Sequence, residues 1–196
     1  MCNGKLAQHL MAENRQLVIV LRGVAGVGKT TLAEMFQKIF GKIGVPCLYI
    51  KWDDSFEALN KMDDIDDDAA FEVTSHLASR LMNAVTKKLA NIYIIDGVFL
   101  YQRERDHLNA MFADQANMLF RQYRLIVPSL DENIRRNKSR AEIDVLPTKR
   151  ISELYEADRL ISSDVDDYTS IEILNSNIDD TIAIILEDLE NVCANK

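Results

Sequence analysis

The octapeptide GVAGVGKT, Gly23 to Thr30, constrains the fold of this chain more than any other feature. It satisfies G-x-x-x-x-G-K-[ST] in full, the spacing of a loop that wraps the phosphates of a nucleotide. Such a loop works between a strand and a helix, and the flanks agree. LVIVL (17–21) precedes it; TLAEMFQKIF follows, with Leu32, Met35, Phe36, Ile39 and Phe40 at helical spacing. Gly23, Gly26 and Gly28 let the backbone turn its N–H groups inward without obstruction by a Cβ, and the helix N-terminus adds the positive end of a dipole. The residues expected around the nucleotide are Gly23, Val24, Ala25, Gly26, Val27, Gly28, Lys29, Thr30 and Thr31. Lys29 is expected to reach the β- and γ-phosphates of ATP, and the Thr30 hydroxyl to ligate Mg²⁺. A nucleoside triphosphate, with ATP as the expected one, and Mg²⁺ are thus the expected cofactors, the loop itself leaving ATP and GTP open.

Four more short apolar runs follow: CLYI (47–50), IYII (92–95), RLIVP (124–128) and SIEIL (170–174). Helical stripes lie between and after them, over Phe71–Leu89, Leu108–Leu119 and Ile178–Val192. Strands alternating with helices predict an α/β fold, a mostly parallel five-stranded sheet with helices on both faces. No Pro/Gly-rich linker interrupts the chain, so residues 1–196 are expected to form a single domain. A net charge of −8 argues against non-specific duplex binding, which depends on Lys and Arg at phosphates. No apolar run approaches membrane-spanning length, and Gln8, His9, Glu13 and Asn14 break up any secretory segment, so a cytoplasmic location and no membrane partner are expected. Cys2, Cys47 and Cys193 form no CxxC pair, and His9, His76 and His107 share no metal-ligand spacing.

Three further features carry charge to the loop's side of the sheet. Asp96 ends the run NIYIID, the pattern of a strand whose carboxylate sits near Mg²⁺. Asp53 and Asp54 close the second predicted strand, and ligands of open parallel sheets sit at the carboxyl ends of strands. That pair is either a turn leading into the acidic stretch 63–68, or a set of carboxylates able to take a proton from a hydroxyl acceptor. Asp53 and Asp96 join Thr30 as candidate metal-site residues. Finally, Arg136 and Arg140 are four apart and would share a face if helical, suited to clamp phosphate. Pro147 reads as a break or the start of a second helix, so residues 131–160 are expected to form an arginine-rich helical lid that excludes water.

Together these residues resemble the P-loop kinase superfamily, a three-layer α/β sandwich, and most of all the polynucleotide 5′-hydroxyl kinases. The resemblance runs over about residues 16–160: the loop, a strand ending in Asp53-Asp54, Asp96 after the third strand, then RRNKSR and LPTKRISELY. It implies Asp54 as general base and Arg136 and Arg140 as phosphate-contacting residues, with Lys29 completing the catalytic set. The implied activity is transfer of the γ-phosphate of ATP to the 5′-hydroxyl of an oligonucleotide. It also implies that Asn175–Asn177 lie at the rim where related kinases hold adenine. One position departs from the pattern, because Glu57 stands where the family has an Arg that engages substrate phosphate. An acidic residue there repels a polyanion by several tenths of a kcal/mol per contact. A neutral or cationic acceptor is the alternative: a small metabolite, nucleoside or antibiotic hydroxyl, as in enzymes similar to chloramphenicol phosphotransferase. A nucleotide switch or assembly ATPase shares the loop and is the third reading. The loop helix also resembles that of thymidylate kinase, without that family's Asp-Arg motif after the third strand.

Overall fold

All seven residues of β1 (Gln16–Arg22) are buried, as a central parallel strand covered on both faces requires. Around it the computed structural model sets β2 (Cys47–Lys51), β3 (Ile92–Gly97), β4 (Met118–Ile126) and β5 (Ser170–Leu174) in the order β2-β3-β1-β4-β5, every pairing parallel. The helices are α1 (Asn3–Ala12), α2 (Lys29–Lys42), α3 (Asp67–Thr86), α4 (Gln102–Phe112), α5 (Leu130–Lys138), α6 (Thr148–Asp164) and α7 (Ile178–Ala194). The structure describes residues 3–12, 14–52, 67–113, 115, 117–140, 145–164 and 170–194. Cys2, Asp53, Asp54, Glu57 and most of the acidic stretch 63–68 lie outside them.

Side chains alternate along β1 between two cores. Leu17, Ile19 and Leu21 pack with α1, α2 and α7 through Leu10, Phe36, Phe40, Ile185 and Leu189. Val18 and Val20 pack on the other face with α3 and α4 through Ala78, Leu81, Leu108 and Phe112. The α/β sandwich with helices on both faces therefore stands as the sequence predicts.

Two boundaries differ. The stripe over Leu108–Leu119 is not one helix: α4 ends at Phe112, and Met118 and Leu119 already belong to β4, which starts six residues before Arg124. Arg121, Gln122 and Arg124 hide this strand in the sequence, because each looks out of place in an apolar run. Their partners come from elsewhere: Asp188 on α7 for Arg121, the Arg105 carbonyl for Gln122, and Asp158 on α6 for Arg124. Helix α1 has no counterpart in the sequence reading; its Leu6 and Leu10 are buried in the first core.

The contact with Asp158 fixes α6 to the sheet. Its carboxylate takes the Arg124 guanidinium at 2.7 Å, and Arg22 approaches the other oxygen at 3.9 Å. Arg22 also donates to the Ser170 hydroxyl at 2.9 Å, and Arg124 pairs with Glu172 on β5. Burial opposes the Arg124 charge, but the hydrogen bonds and charges of Asp158 and Glu172 outweigh it and raise its pKa. Removing one partner of such a buried cluster leaves an uncompensated charge. Asp158→Ala is therefore expected to cost about 3 kcal/mol of stability, read as a lowered urea midpoint. An unchanged midpoint would mean that α6 is held by its apolar contacts alone.

Candidate active site

The sheet register brings the sequence motifs to one rim. Leu21, two residues before the loop, lies opposite Asp96 on β3, and Asp96 lies opposite Lys51 on β2. The loop leaves β1 through Gly23 (φ 134°), passes Gly26 (φ 87°) and enters α2 from Gly28 (φ 97°). A Cβ on Gly23 would meet the Leu125 carbonyl oxygen at 2.4 Å, so residue type here is fixed by space as well as by φ. Lys29 opens α2, is almost fully buried, and donates through Nζ to the carbonyls of Gly23 (2.8 Å) and Val24 (3.3 Å). Its ammonium is thereby held across the mouth of the loop. Thr31 follows on the exposed side of the first turn.

Beside Lys29, the Thr30 hydroxyl donates to Asp96 Oδ2 at 2.8 Å. Tyr49 on β2 donates to the same oxygen at 2.9 Å. Burial, together with the charge and hydrogen bond of Asp96, raises the Tyr49 pKa, so its phenol stays a protonated donor. Hydroxyl and carboxylate oxygens converging under a phosphate loop are the hard donors that Mg²⁺ prefers, so Thr30 and Asp96 fit that ion. Tyr49 is a residue the sequence reading assigns no role. The available signal is register: it stands two residues before the strand end, on the side of β2 that faces the loop. Tyr49→Phe removes one of two hydroxyls that orient Asp96. We expect turnover to fall about tenfold across a Mg²⁺ titration with nucleotide affinity kept, and unaltered turnover would make the phenol a packing group.

A family model described as an AAA domain matches residues 18–157, from β1 into α6. The chain belongs to this AAA domain family. Among curated proteins, none matches it. The fold of this AAA domain is that of P-loop kinases. The structure solved as APE1195 is similar at a TM-score of 0.64 and 18% identity, covering 91% of this chain and 97% of that one. The Mycobacterium tuberculosis APS kinase CysC in complex with AMPPNP and APS gives 0.58 at 17%, covering 90% and 98%. Shikimate kinase from Aquifex aeolicus gives 0.55 at 15%, covering 91% and 99%.

Within this AAA domain, α5 and α6 occupy the segment expected as a lid. Ser129 caps α5 by accepting from the Glu132 N–H at 3.2 Å. Glu132 in turn accepts from Arg135 (2.7 Å) and Arg136 (2.6 Å), and these hydrogen bonds hold its carboxyl at about 2. Arg136 is thus tied to its own helix. Arg140 lies past Lys138, the last residue of α5, in a turn whose N–H reaches the Asn137 carbonyl. The helical face that Arg136 and Arg140 would share does not form, because the helix stops first. Asn137, one residue before the end of α5, ties it to the next segment: its side chain donates to the Leu146 carbonyl at 2.8 Å and accepts from the Leu146 N–H at 3.3 Å. That closes the chain back on itself just before Pro147, whose carbonyl accepts from Ile151 in the first turn of α6.

The asparagines near the rim are structural. Asn175 donates to the Val27 carbonyl at 2.6 Å and accepts from Thr181, bracing the loop from the end of β5. Asn177 accepts from the Asp179 N–H at the start of α7. Among the described residues no cluster of His, Cys, Asp and Glu has metal-site geometry. The Cys47 thiol is pushed up to about 12 by burial, which removes it as a nucleophile. Among the same residues no helix is long and apolar enough to cross a membrane.

Proposed function

We propose that this chain is an ATP- and Mg²⁺-dependent kinase that transfers the γ-phosphate to a hydroxyl, with the 5′-hydroxyl of an oligonucleotide as acceptor. The observation that carries this reading is the convergence of Lys29, Thr30 and Asp96 under a loop that α5 approaches from above. Lys29 binds the β- and γ-phosphates and neutralises the charge that develops between them. Thr30 and Asp96 would hold Mg²⁺, with Asp53 as a further candidate ligand, and the ion would supply positive charge against the phosphates. Asp54 takes the proton from the acceptor hydroxyl as its oxygen attacks phosphorus. Residues 131–160 act as the lid, where Arg136 exchanges Glu132 for phosphate and Arg140 reaches in from the turn. Exclusion of water keeps the phosphoryl group for the acceptor. A cytoplasmic site of action accompanies this chemistry.

The neighbours solved with APS or named for shikimate are kinases of small molecules, and Glu57 favours the same class here. A small metabolite, nucleoside or antibiotic is therefore the second reading. The test is γ-labelled ATP with a panel of 5′-hydroxyl RNA and DNA oligomers, nucleosides and antibiotics. Label on the oligomers, declining as salt rises, supports the first reading. Label on a small acceptor, insensitive to salt, replaces it with the second.

A further inference from the structure

A chain of polar groups runs through the second core, where packing does not require one. Trp52, just past β2, is buried and sets its ring against Phe99 at 5.5 Å, in a core shared with Val20, Ala78 and Leu81. In that apolar setting its indole N–H meets the Thr74 hydroxyl of α3 at 3.4 Å, and the same hydroxyl lies 2.7 Å from Glu104 Oε1 on α4. The direction of each bond is fixed, because an indole only donates and a carboxylate only accepts. Thr74 therefore accepts from Trp52 and donates to Glu104, whose other oxygen accepts from the Tyr101 N–H at 3.2 Å ahead of α4. All three side chains are buried. A valine in place of Thr74 would fill the same space without burying a hydroxyl, so packing alone gives no reason for the relay. A buried polar chain with its bonds made holds its members in one arrangement.

Both ends of one span meet in this relay. Residues 53–66, which include Asp53 and Asp54, follow Trp52 directly and lead into α3 at Asp67. The bond from Trp52 to Thr74 thus ties the exit from β2 to the second turn of α3. The surroundings of Trp52 are held as well. Its backbone N–H donates to the Asp96 carbonyl at 2.8 Å. The buried Arg105 guanidinium donates to the carbonyls of Phe99 (3.1 Å) and Leu100 (2.7 Å), holding Phe99 at a φ of 44°, a left-handed backbone that a bulky residue rarely adopts. We propose that Thr74 is a positioning residue for phosphoryl transfer. Its hydroxyl, bonded to Trp52 and Glu104, sets where the chain leaves β2, and so where the carboxylates that follow meet the acceptor hydroxyl. This role rests on the phosphoryl-transfer reading above, and adds to it a residue that touches neither nucleotide nor acceptor. Displacing a reacting group by about 1 Å is enough to slow a reaction on the order of a hundredfold.

Thr74→Val keeps the shape of the side chain and removes the hydroxyl, whereas Thr74→Ser keeps the hydroxyl. Both are assayed below their melting midpoints with γ-labelled ATP, Mg²⁺ and the member of the acceptor panel that the wild-type protein labels. A non-hydrolysable ATP analogue is titrated alongside. With Val, kcat is expected to fall about ten- to a hundredfold while affinity for the analogue is kept; with Ser, kcat is expected near wild type. A role in packing alone would lower the melting midpoint and leave kcat per folded molecule unchanged, and that result in Thr74→Val overturns the proposal. A Ser variant as slow as Val overturns it too, since the hydroxyl is then not the cause. If Val prevents folding, Trp52→Phe decides alone, because it removes the indole donor and leaves the bond from Thr74 to Glu104. Lowered kcat with analogue affinity kept supports the role there, and wild-type kcat overturns it. A wild-type protein that labels no hydroxyl acceptor overturns the phosphoryl-transfer reading itself, and this role with it.

Discussion

Lys29→Ala is expected to lower phosphoryl transfer by about 10²- to 10³-fold, the usual effect of deleting one preorganised donor to developing charge. Lys29 is buried at the start of α2, and its Nζ is fixed by the Gly23 and Val24 carbonyls across the mouth of the loop. No other described lysine stands in that position. On the proposed reading the ammonium serves bound ATP as well as the transition state, so nucleotide affinity should drop too, unlike in a variant that affects chemistry alone. Steady-state kinetics combined with direct titration of an ATP analogue separates the two. A variant with full turnover would exclude the loop from catalysis.

Asp54→Asn is expected to produce the opposite split. The amide keeps the shape of the carboxylate but cannot accept the hydroxyl proton, so transfer should fall by about 10²- to 10⁴-fold. ATP affinity should stay at its wild-type value, because the phosphate cradle is intact. Asp54 follows Trp52, whose indole is buried and whose backbone N–H donates to the Asp96 carbonyl at 2.8 Å. The described chain therefore ends, at Trp52, against the carboxyl end of β3 that carries Asp96. Unchanged turnover in Asp54→Asn would make Asp53-Asp54 a turn, the other meaning the pair carries in the sequence.

How far each part could be read from sequence depends on how local its cause is. The loop was legible because its glycines, Lys29 and Thr30 are contiguous, and their work is done by backbone geometry that eight residues specify. Asp96 was legible because a carboxylate at the end of an apolar strand must lie on the ligand-binding rim once strands are parallel. What the sequence hid depends on pairs far apart along the chain. The bond from Asn175 to the Val27 carbonyl spans 148 positions, as does that from Arg22 to Ser170. Nothing near Arg22 or Arg124 indicates that one aspartate on α6 will pair with both. Tyr49 looks like one more strand residue until sheet order brings β2 beside β3. Arg136 and Arg140 do not fall on one helix for a related reason: helical spacing is informative only while the helix continues, and α5 ends at Lys138.

The fold leaves open a wide range of acceptors, since an APS kinase and a shikimate kinase share it at low identity. On the proposed reading, acceptor choice follows the charge of the sequence around Asp54, where Glu57 and the acidic stretch that follows oppose a polyanion. The arginines of α5 and the turn after it supply the opposite sign. A polynucleotide acceptor requires that the second set dominate at the site of reaction.

The most direct measurement is the partition of label when the wild-type protein turns over γ-labelled ATP with Mg²⁺ and a 5′-hydroxyl oligonucleotide. The predicted result is label at the oligonucleotide 5′ end in excess over inorganic phosphate, removable by phosphatase and lost in Asp54→Asn. Label found in inorganic phosphate alone, at the same rate with and without any hydroxyl acceptor, would contradict phosphoryl transfer and assign the loop to a nucleotide switch.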